Sequence, residues 1–320
     1  MLKKYKIIDL FAGIGGIRLG FEEYDCECVF SSEIDPNARK MYEDNFGEEP
    51  FGDINLIDPQ DIPDHDILLA GFPCQAFSIA GKGKGFLDTR GTLFFNIEKI
   101  IEKKMPKAFL LENVKRLKTH DSGNTYKVIK DRLNNLGYTV YDKILNTLDY
   151  GLPQKRERIY IVGFKDNIDF RYPKKLGYYK PLEELLIAKN NVDNSYFLSE
   201  RIKNKRFDSL KSEPFFPSIW HENIGGNISV LPYSCALRAG GSYNYLVVNG
   251  ERRLTSREML RLQGFPENFK ITKSYTHVRK FAGNSVSVPV IKLIAQNLLL
   301  SLNEKKRFVG IKEQLSLNLN

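Results

Sequence analysis

The strongest constraint on this chain is the alternation in its first half. Short apolar runs, "YKIIDLF", "CECVFSSEI", "DILLAGF", "KAFLLENV" and "RIYIVGF", are separated by segments of helical character, "IRLGFEEY", "PNARKMYEDNF", "LFFNIEKIIEKK" and "TYKVIKDRLNNLGY". Continuous apolar runs belong to strands covered on both faces, and strands that alternate with helices build parallel βαβ units. The expected fold class is therefore α/β, with a doubly wound, mostly parallel, Rossmann-like sheet. A chain of 320 residues exceeds one ordinary domain, so a second, smaller domain is expected beside it. After "RIYIVGF" the periodicity decays into a stretch rich in Lys, Asn, Tyr and Ser, from about 165 to 235. It resumes at "TSREMLRLQGF", where Thr255 or Ser256 with Glu258 resembles a helix start, and at "SVPVIKLIAQNLLLSL", a late helix. The final "NEKKRFVGIKEQLSLNLN" reads as a surface tail.

Composition matters here mainly for what it excludes. Four cysteines, at 26, 28, 74 and 235, form no C-x-x-C, and with four histidines no metal site is expected. Cys26 and Cys28 stand at strand spacing on one face and read as buried and inert. No run of about 18 apolar residues is present to span a membrane, and the first apolar run carries Asp9 without a cleavage pattern, so a cytoplasmic protein is expected. The net charge of +9 is unevenly spread. Residues 1–164 hold 23 Lys and Arg against 25 Asp and Glu, whereas residues 165–320 hold 25 against 14. A basic second half suits a polyanionic partner, although surplus lysine on a solvated surface would look the same.

Two ends of the expected sheet carry chemistry. "KIIDLF" runs into "AGIGGIRLG", placing Gly13, Gly15 and Gly16 in a tight turn before a helix; the third glycine of a dinucleotide fingerprint would fall at Arg18, so that pattern is broken. Glu33, at the end of the second strand, suits ribose hydroxyls, and Asp53 suits an adenine amino group; a turn or cap is the bland alternative for each. "DILLAGFPC" delivers Cys74 after a stiffening Pro73. A lone cysteine there is as readily a core residue, and nucleophilic use requires neighbours that favour the thiolate. The following "SIAGKGKGFLDTRGTLFF", with Lys82, Lys84 and Arg90 among glycines, reads either as a loop that closes over a phosphodiester backbone or as an ordinary surface loop. Glu112 ends another apolar run, and Arg156 and Arg158 share a face at strand spacing in "GLPQKRERIYIVGF".

These blocks resemble, in order and over nearly the whole chain, the DNA (cytosine-5) methyltransferases, in particular bacterial modification enzymes of restriction systems. The segments are "DLFAGIGGIRLGFE", "EID", "GDI", "GFPCQAFSIAGKGKGFLDTRGTLFF", "LLENVKRL", "GLPQKRERIYIVGF", "RRLTSREMLRLQGFPENF" and "FAGNSVSVPVI". The resemblance implies S-adenosylmethionine as methyl donor, with Phe11, Ala12, Gly13, Ile14, Gly15 and Gly16 lining its pocket. Glu33, Ile34, Asp53, Ile54, Leu93, Asn284, Ser285 and Val286 would complete it. It implies Cys74 as the nucleophile toward C6 of a cytosine, Glu112 at N3, Arg158 near O2 and Arg156 in support. Ser78, Lys82, Lys84 and Arg90 would contact DNA, as would Arg238, Gly240 and Gly241 in "CALRAGGSYNY", whose glycines would otherwise make a plain hairpin turn. Gln263 in "QGFP" is expected to shape the domain junction. The implied division is a catalytic domain of residues 1–185 plus 276–320 and a target recognition domain with hinge of 186–275. A monomer acting on double-stranded DNA, paired with a cognate restriction endonuclease, is expected. The alternatives are a tRNA methyltransferase, a catalytically silent DNA-binding relative and, against Arg18, a nicotinamide oxidoreductase.

Overall fold

A computed structural model describes residues 5–73 and 92–317, with residues 92 and 305–317 as backbone only. Cys74, Ser78, Lys82, Lys84 and Arg90 lie outside the described residues. The main sheet is built from β1 (Tyr5–Leu10), β2 (Cys26–Ser32), β3 (Ile67–Gly71), β4 (Ala108–Val114), β5 (Thr139–Asn146) and β7 (Glu157–Phe164), in the order β2-β1-β3-β4-β7-β5; β6 (Gln154–Lys155) stands apart from it. β1, β2, β3 and β4 are mutually parallel, and β7 runs antiparallel to both β4 and β5. Because β7 alone is reversed, its start lies at the edge where β3 and β4 end.

The two faces are filled from one sequence pattern of period 2. Ile7, Ile67, Leu69 and Val162 turn to a core shared with Ile17 and Phe21 of α1 (Gly16–Glu22) and with Ile291, Ile294 and Leu298 of the last helix. Ile8, Leu10, Leu68 and Phe109 turn the other way, to Ile97 and Ile101 of α3 (Thr92–Lys104) and to Ile129 and Leu133 of α4 (Asn124–Asn135). Burial on both faces confirms the doubly wound α/β fold. α2 (Pro36–Phe46) begins as its sequence says it should: Asp35 accepts from the amides of Asn37 and Ala38, and Pro36 takes the first helical position, where no amide hydrogen is needed.

The second half is a small antiparallel sheet with helices around it. β8 (Ile219–Glu222), β9 (Ile228–Leu231), β11 (Leu246–Val248) and β12 (Arg252–Arg253) form a sheet in the order β12-β11-β8-β9, centred on the fully buried Trp220. β10 (Ser234–Cys235) leaves that sheet and pairs in parallel with β6, joining the two halves. α5 (Glu200–Asp208) precedes the small sheet; α6 (Ser256–Gln263) and α7 (Tyr275–Asn284) follow it. The helix start expected at Thr255 is a full capping box: Glu258 N donates to Thr255 Oγ1 at 3.2 Å and Thr255 N to Glu258 Oε2 at 2.7 Å.

The end of the chain departs from the sequence reading. α8 (Val288–Leu317) continues through the residues expected to form a tail. The stretch Tyr275–Glu304 has, by length and composition, what a membrane-crossing helix needs, contrary to the absence expected above. It is broken by the non-helical Ser285–Ser287, and Ile291, Ile294, Ala295 and Leu298 are fully buried in the core, so its apolar character serves packing.

Candidate active site

The turn after β1 is shaped by left-handed backbone at Phe11 (φ 54°), Gly13 (φ 57°) and Gly15 (φ 82°). Ala12 N donates to Ser32 O at 2.9 Å, which ties the turn to the end of β2. There Glu33 accepts from Gly13 N through Oε2 and from Asp35 N through Oε1, both at 2.8 Å. Each carboxylate oxygen has two lone pairs, so Glu33 braces the turn and keeps acceptor capacity for a ligand. At Asp53 the turn-cap reading holds for one oxygen: Oδ1 accepts from Asn55 N at 2.9 Å and from Asn55 Nδ2 at 2.6 Å. Ile34 is 68% exposed beside the turn, an apolar surface suited to a flat ring. Ile54, at the start of a 3-10 turn, is buried in one cluster with Leu10 and Phe72. Leu93 is half-buried against the same cluster.

Gly16 joins this turn to a segment about 270 residues away. A Cβ at Gly16 would stand 2.6 Å from Ser285 Oγ and 3.0 Å from Val286 Cγ2, so only glycine lets the two segments meet. Asn284 is exposed, Ser285 half-buried and Val286 buried at this contact; Ala12 and Ile14 are buried behind it. Phe265, which the sequence reading did not single out, lies 3.4 Å from the same Cβ position, and only its place in "QGFP" pointed to it. Arg18, where a fingerprint glycine would be, lies over the Phe46 ring at 4.3 Å and donates to Tyr42 Oη at 3.0 Å and Glu22 Oε1 at 2.7 Å. It pins α1 to α2. Asp9, at the base of the turn, is fully buried with no hydrogen-bond partner for either oxygen among the described residues, and burial holds its carboxyl well above the usual carboxylate range.

The second cluster lies at the ends of β3 and β4. Phe72 is buried and Pro73 follows it, the last described residue before Cys74. Asn113 Nδ2 donates to Phe72 O at 2.8 Å, which fixes the approach to Cys74; this residue also escaped the sequence reading, as the neighbour of a more conspicuous acid. Glu112 stands opposite Gly71 on one side and Tyr160 on the other, and is 7% exposed. Arg158 Nε approaches Glu112 Oε1 at 3.1 Å as an ion pair, yet that oxygen has no aligned hydrogen bond among the described residues. Burial raises the Glu112 carboxyl pKa, and Arg158 and Arg156 only partly offset it.

Arg156 is placed differently from its strand partner. It is 2% exposed and donates to Leu237 O at 3.1 Å, Gly283 O at 3.2 Å and Ser285 O. Burial and the neighbouring Arg158 bring its pKa down to about 9. These bonds tie Leu237 to the segment that meets Gly16. Gln154 and Gln263 extend this junction. Gln154 Nε2 donates to Leu262 O at 2.7 Å and to Gln263 Oε1 at 3.2 Å, Gln154 Oε1 accepts from Leu237 N at 3.1 Å, and Gln263 Nε2 donates to Ala282 O at 2.5 Å. Gln263 is fully buried among these bonds.

Between β10 and β11, Arg238 is exposed, with its guanidinium 4.6 Å over the Tyr245 ring. Gly240 has open space around it, whereas a Cβ at Gly241 would come within 2.7 Å of Tyr245 Cε1, so a side chain at Gly241 would press on that ring.

An α/β sheet with a glycine turn and carboxylate at its first two strand ends, and a buried acid–arginine pair beside a prolyl turn at the next two, defines a group-transfer enzyme with a nucleoside-type donor site. The chain belongs to the C-5 cytosine-specific DNA methylases, whose family model matches residues 5–300. It is 68% identical over 316 residues to the Type II methyltransferase M.HaeII of Haemophilus aegyptius, covering 99% of both chains. It is 72% identical over 288 residues to the Type II methyltransferase M.NgoBI of Neisseria gonorrhoeae, covering 90% of this chain and 91% of that one. Among solved structures, the S. pombe Dnmt2 methyltransferase shares the fold, with a TM-score of 0.73 at 22% identity over 93% of this chain and 99% of that one. The chain is a DNA cytosine-5 methyltransferase of the restriction-modification type. A tRNA-directed or catalytically silent relative is not favoured.

Proposed function

We propose that the enzyme methylates C5 of a flipped-out cytosine in a specific duplex sequence through a covalent bond between Cys74 and C6. The observation that carries this reading is the buried Glu112–Arg158 pair at the strand ends, next to Asn113, which holds Phe72 two residues before Cys74 in sequence. C5 of cytosine is too weak a nucleophile to accept a methyl group unaided. Addition of the Cys74 thiolate to C6 breaks the aromatic ring and makes C5 enamine-like. Glu112, whose burial favours its protonated form, holds a proton at N3, and Arg158 stabilises negative charge developing at O2. Once C5 carries the methyl group taken from the donor's sulfonium, its own hydrogen leaves as a proton to solvent, the Cys74–C6 bond breaks with its electron pair returning to sulfur, and N3 gives its proton back to Glu112 as aromaticity returns. A stacked base cannot present C6 to a thiolate, so the base must leave the duplex, at about a few kcal/mol.

The residues around Gly13 and Gly16 fit S-adenosylmethionine, which the family implies and which supplies an electrophilic methyl group. Glu33 retains acceptor capacity for ribose, Ile34 presents an apolar face, and Asp53 has a second oxygen beyond its turn bonds. Ser285 and Val286 close the far side, with the others of the turn as assigned above. The division into a catalytic domain of 1–185 plus 276–320 and a recognition domain of 186–275 is part of this reading, as are the DNA contacts of Arg238, Gly240, Gly241 and the loop after Cys74. So are a monomeric state, a bacterial cytoplasmic setting and pairing with a cognate endonuclease. Bisulfite sequencing of DNA from cells that express the chain identifies the target. Cys74→Ser should lower methyl transfer by at least about 10³-fold while leaving duplex binding intact. A Ser variant with near-normal turnover would sink the covalent mechanism.

A further inference from the structure

Between β10 and β11 the chain runs without helix or strand from Ala236 to Tyr245. The root of this loop is held by Arg156 and Gln154 at Leu237, and by close backbone packing on α7, where a Cβ at Gly283 would stand 2.3 Å from Ala239 N. The tip is held by other means. The Arg279 guanidinium lies 4.2 Å over the Tyr243 ring and donates to Gly241 O. Tyr243 Oη and Thr276 Oγ1 are 3.0 Å apart, and the Tyr243 ring stacks on Tyr275 with centroids 6.1 Å apart at 25°. Ser242 and Tyr243 remain exposed between these anchors. Every one of these tip contacts comes from α7, the helix that ends at Gly283 and Asn284 and hands the chain to Ser285 and Val286 beside Gly16.

We infer that Arg279 is a positioning residue for target recognition, holding the turn Gly240–Tyr243 in the conformation that reads DNA. This rests on the reading of duplex DNA as substrate. Ordering a free loop costs backbone entropy, and a loop already ordered before binding avoids that cost and presents one set of side chains. A guanidinium is suited to the task because its plane stacks on a ring while its edge donates to a carbonyl; an ammonium has no plane to stack and holds the ring less firmly. A competing role for an arginine at this place is a direct phosphate contact. The two roles have different signatures: a phosphate contact weakens all duplexes alike and lowers the salt slope by about one, whereas a positioning residue matters only where sequence is read.

The test uses the full chain, the target duplex identified by bisulfite sequencing and a duplex with one recognition base changed. Arg279→Ala should raise KM for the target about 10- to 100-fold, with kcat and S-adenosylmethionine affinity within about threefold of wild type. Discrimination between the two duplexes should fall by a similar factor, with an unchanged salt slope. Arg279→Lys should lose most of the same discrimination, and Tyr243→Ala, approached from the loop side, should reproduce Arg279→Ala. Unchanged discrimination in Arg279→Ala, or equal weakening of both duplexes with a shallower salt slope, would overturn the inference. A wild-type chain that methylates no duplex at all would instead overturn the underlying reading of the substrate.

Discussion

The strand ends at β3 and β4 and the junction among β6, β10 and α7 both bury charged and amide side chains, but they leave them in different states. At the strand ends, Glu112 has an oxygen without a hydrogen-bond partner among the described residues, and its Arg158 neighbour keeps 16% of its side-chain surface exposed. At the junction, Arg156 donates to three backbone carbonyls, with only its Nε unpartnered among the described residues, and Gln154 and Gln263 donate to carbonyls, Gln154 also to Gln263. Between β12 and α6, Arg252 and Glu258 hold one another at 2.7 Å and 2.9 Å with almost no exposure. A buried acid with an unengaged oxygen suits the handling of a substrate; side chains engaged mainly with the backbone or with one another suit holding the structure.

That contrast can be broken by substitution. The largest expected effect is at Glu112. Glu112→Gln keeps the shape but cannot deliver a proton to N3, and should lower kcat by about 10²- to 10⁴-fold with little change in thermal midpoint. A large loss of stability with unchanged turnover would place Glu112 with the junction residues. Glu258→Ala should do the reverse. It leaves Arg252 buried without its partner and Ile187 N without its acceptor, for a loss of about 3–5 kcal/mol in urea unfolding, while chemistry at saturating DNA in the folded fraction is preserved.

How far each region is legible in the sequence follows from the same contrast. β1, β3, β4 and β7 announce themselves because both faces are largely buried, which leaves near-continuous apolar runs. The two edge strands differ: β2 interrupts its apolar residues only with Glu27 before its buried end, whereas β5 carries Asp142 and Lys143 in its middle and buries only Val140 and Leu145, so it left no comparable run. Glu112 and Arg158 were readable because each ends or begins an apolar run. Gln154, Asn113 and Arg279 were not, because their partners are carbonyls and rings contributed by distant segments, and no local pattern specifies a carbonyl. Arg156 looked like the twin of Arg158 at spacing of two, yet one binds the acid and the other the junction.

Two smaller effects sharpen the donor side. Gly16→Ala drives a methyl group into Ser285 and Val286; overpacking of this kind costs about 1–3 kcal/mol, and it should appear as weaker S-adenosylmethionine binding in calorimetry, with DNA affinity retained. Unchanged donor affinity would remove Gly16 from the pocket. Asp9 should give the smallest effect and a dependence on pH. Its folded pKa is raised by burial, so its contribution to stability is fully present below its unfolded value of about 3.9 and is lost as pH rises through the folded value. Urea midpoints of the wild type relative to Asp9→Asn should therefore decline as pH is raised from 5 to 8; a constant difference would mean that Asp9 is ionised throughout.

The central claim is that Cys74 forms a covalent bond to the base, and a target duplex carrying 5-fluorocytosine tests it most directly. Fluorine cannot leave C5 as a proton, so elimination is blocked once the methyl group has been transferred. With S-adenosylmethionine present, the wild-type chain should form a denaturant-resistant complex with this duplex, linked through the peptide containing Cys74, and Cys74→Ser should form none. The absence of a complex with a verified target, or its persistence in the Ser variant, would contradict the account.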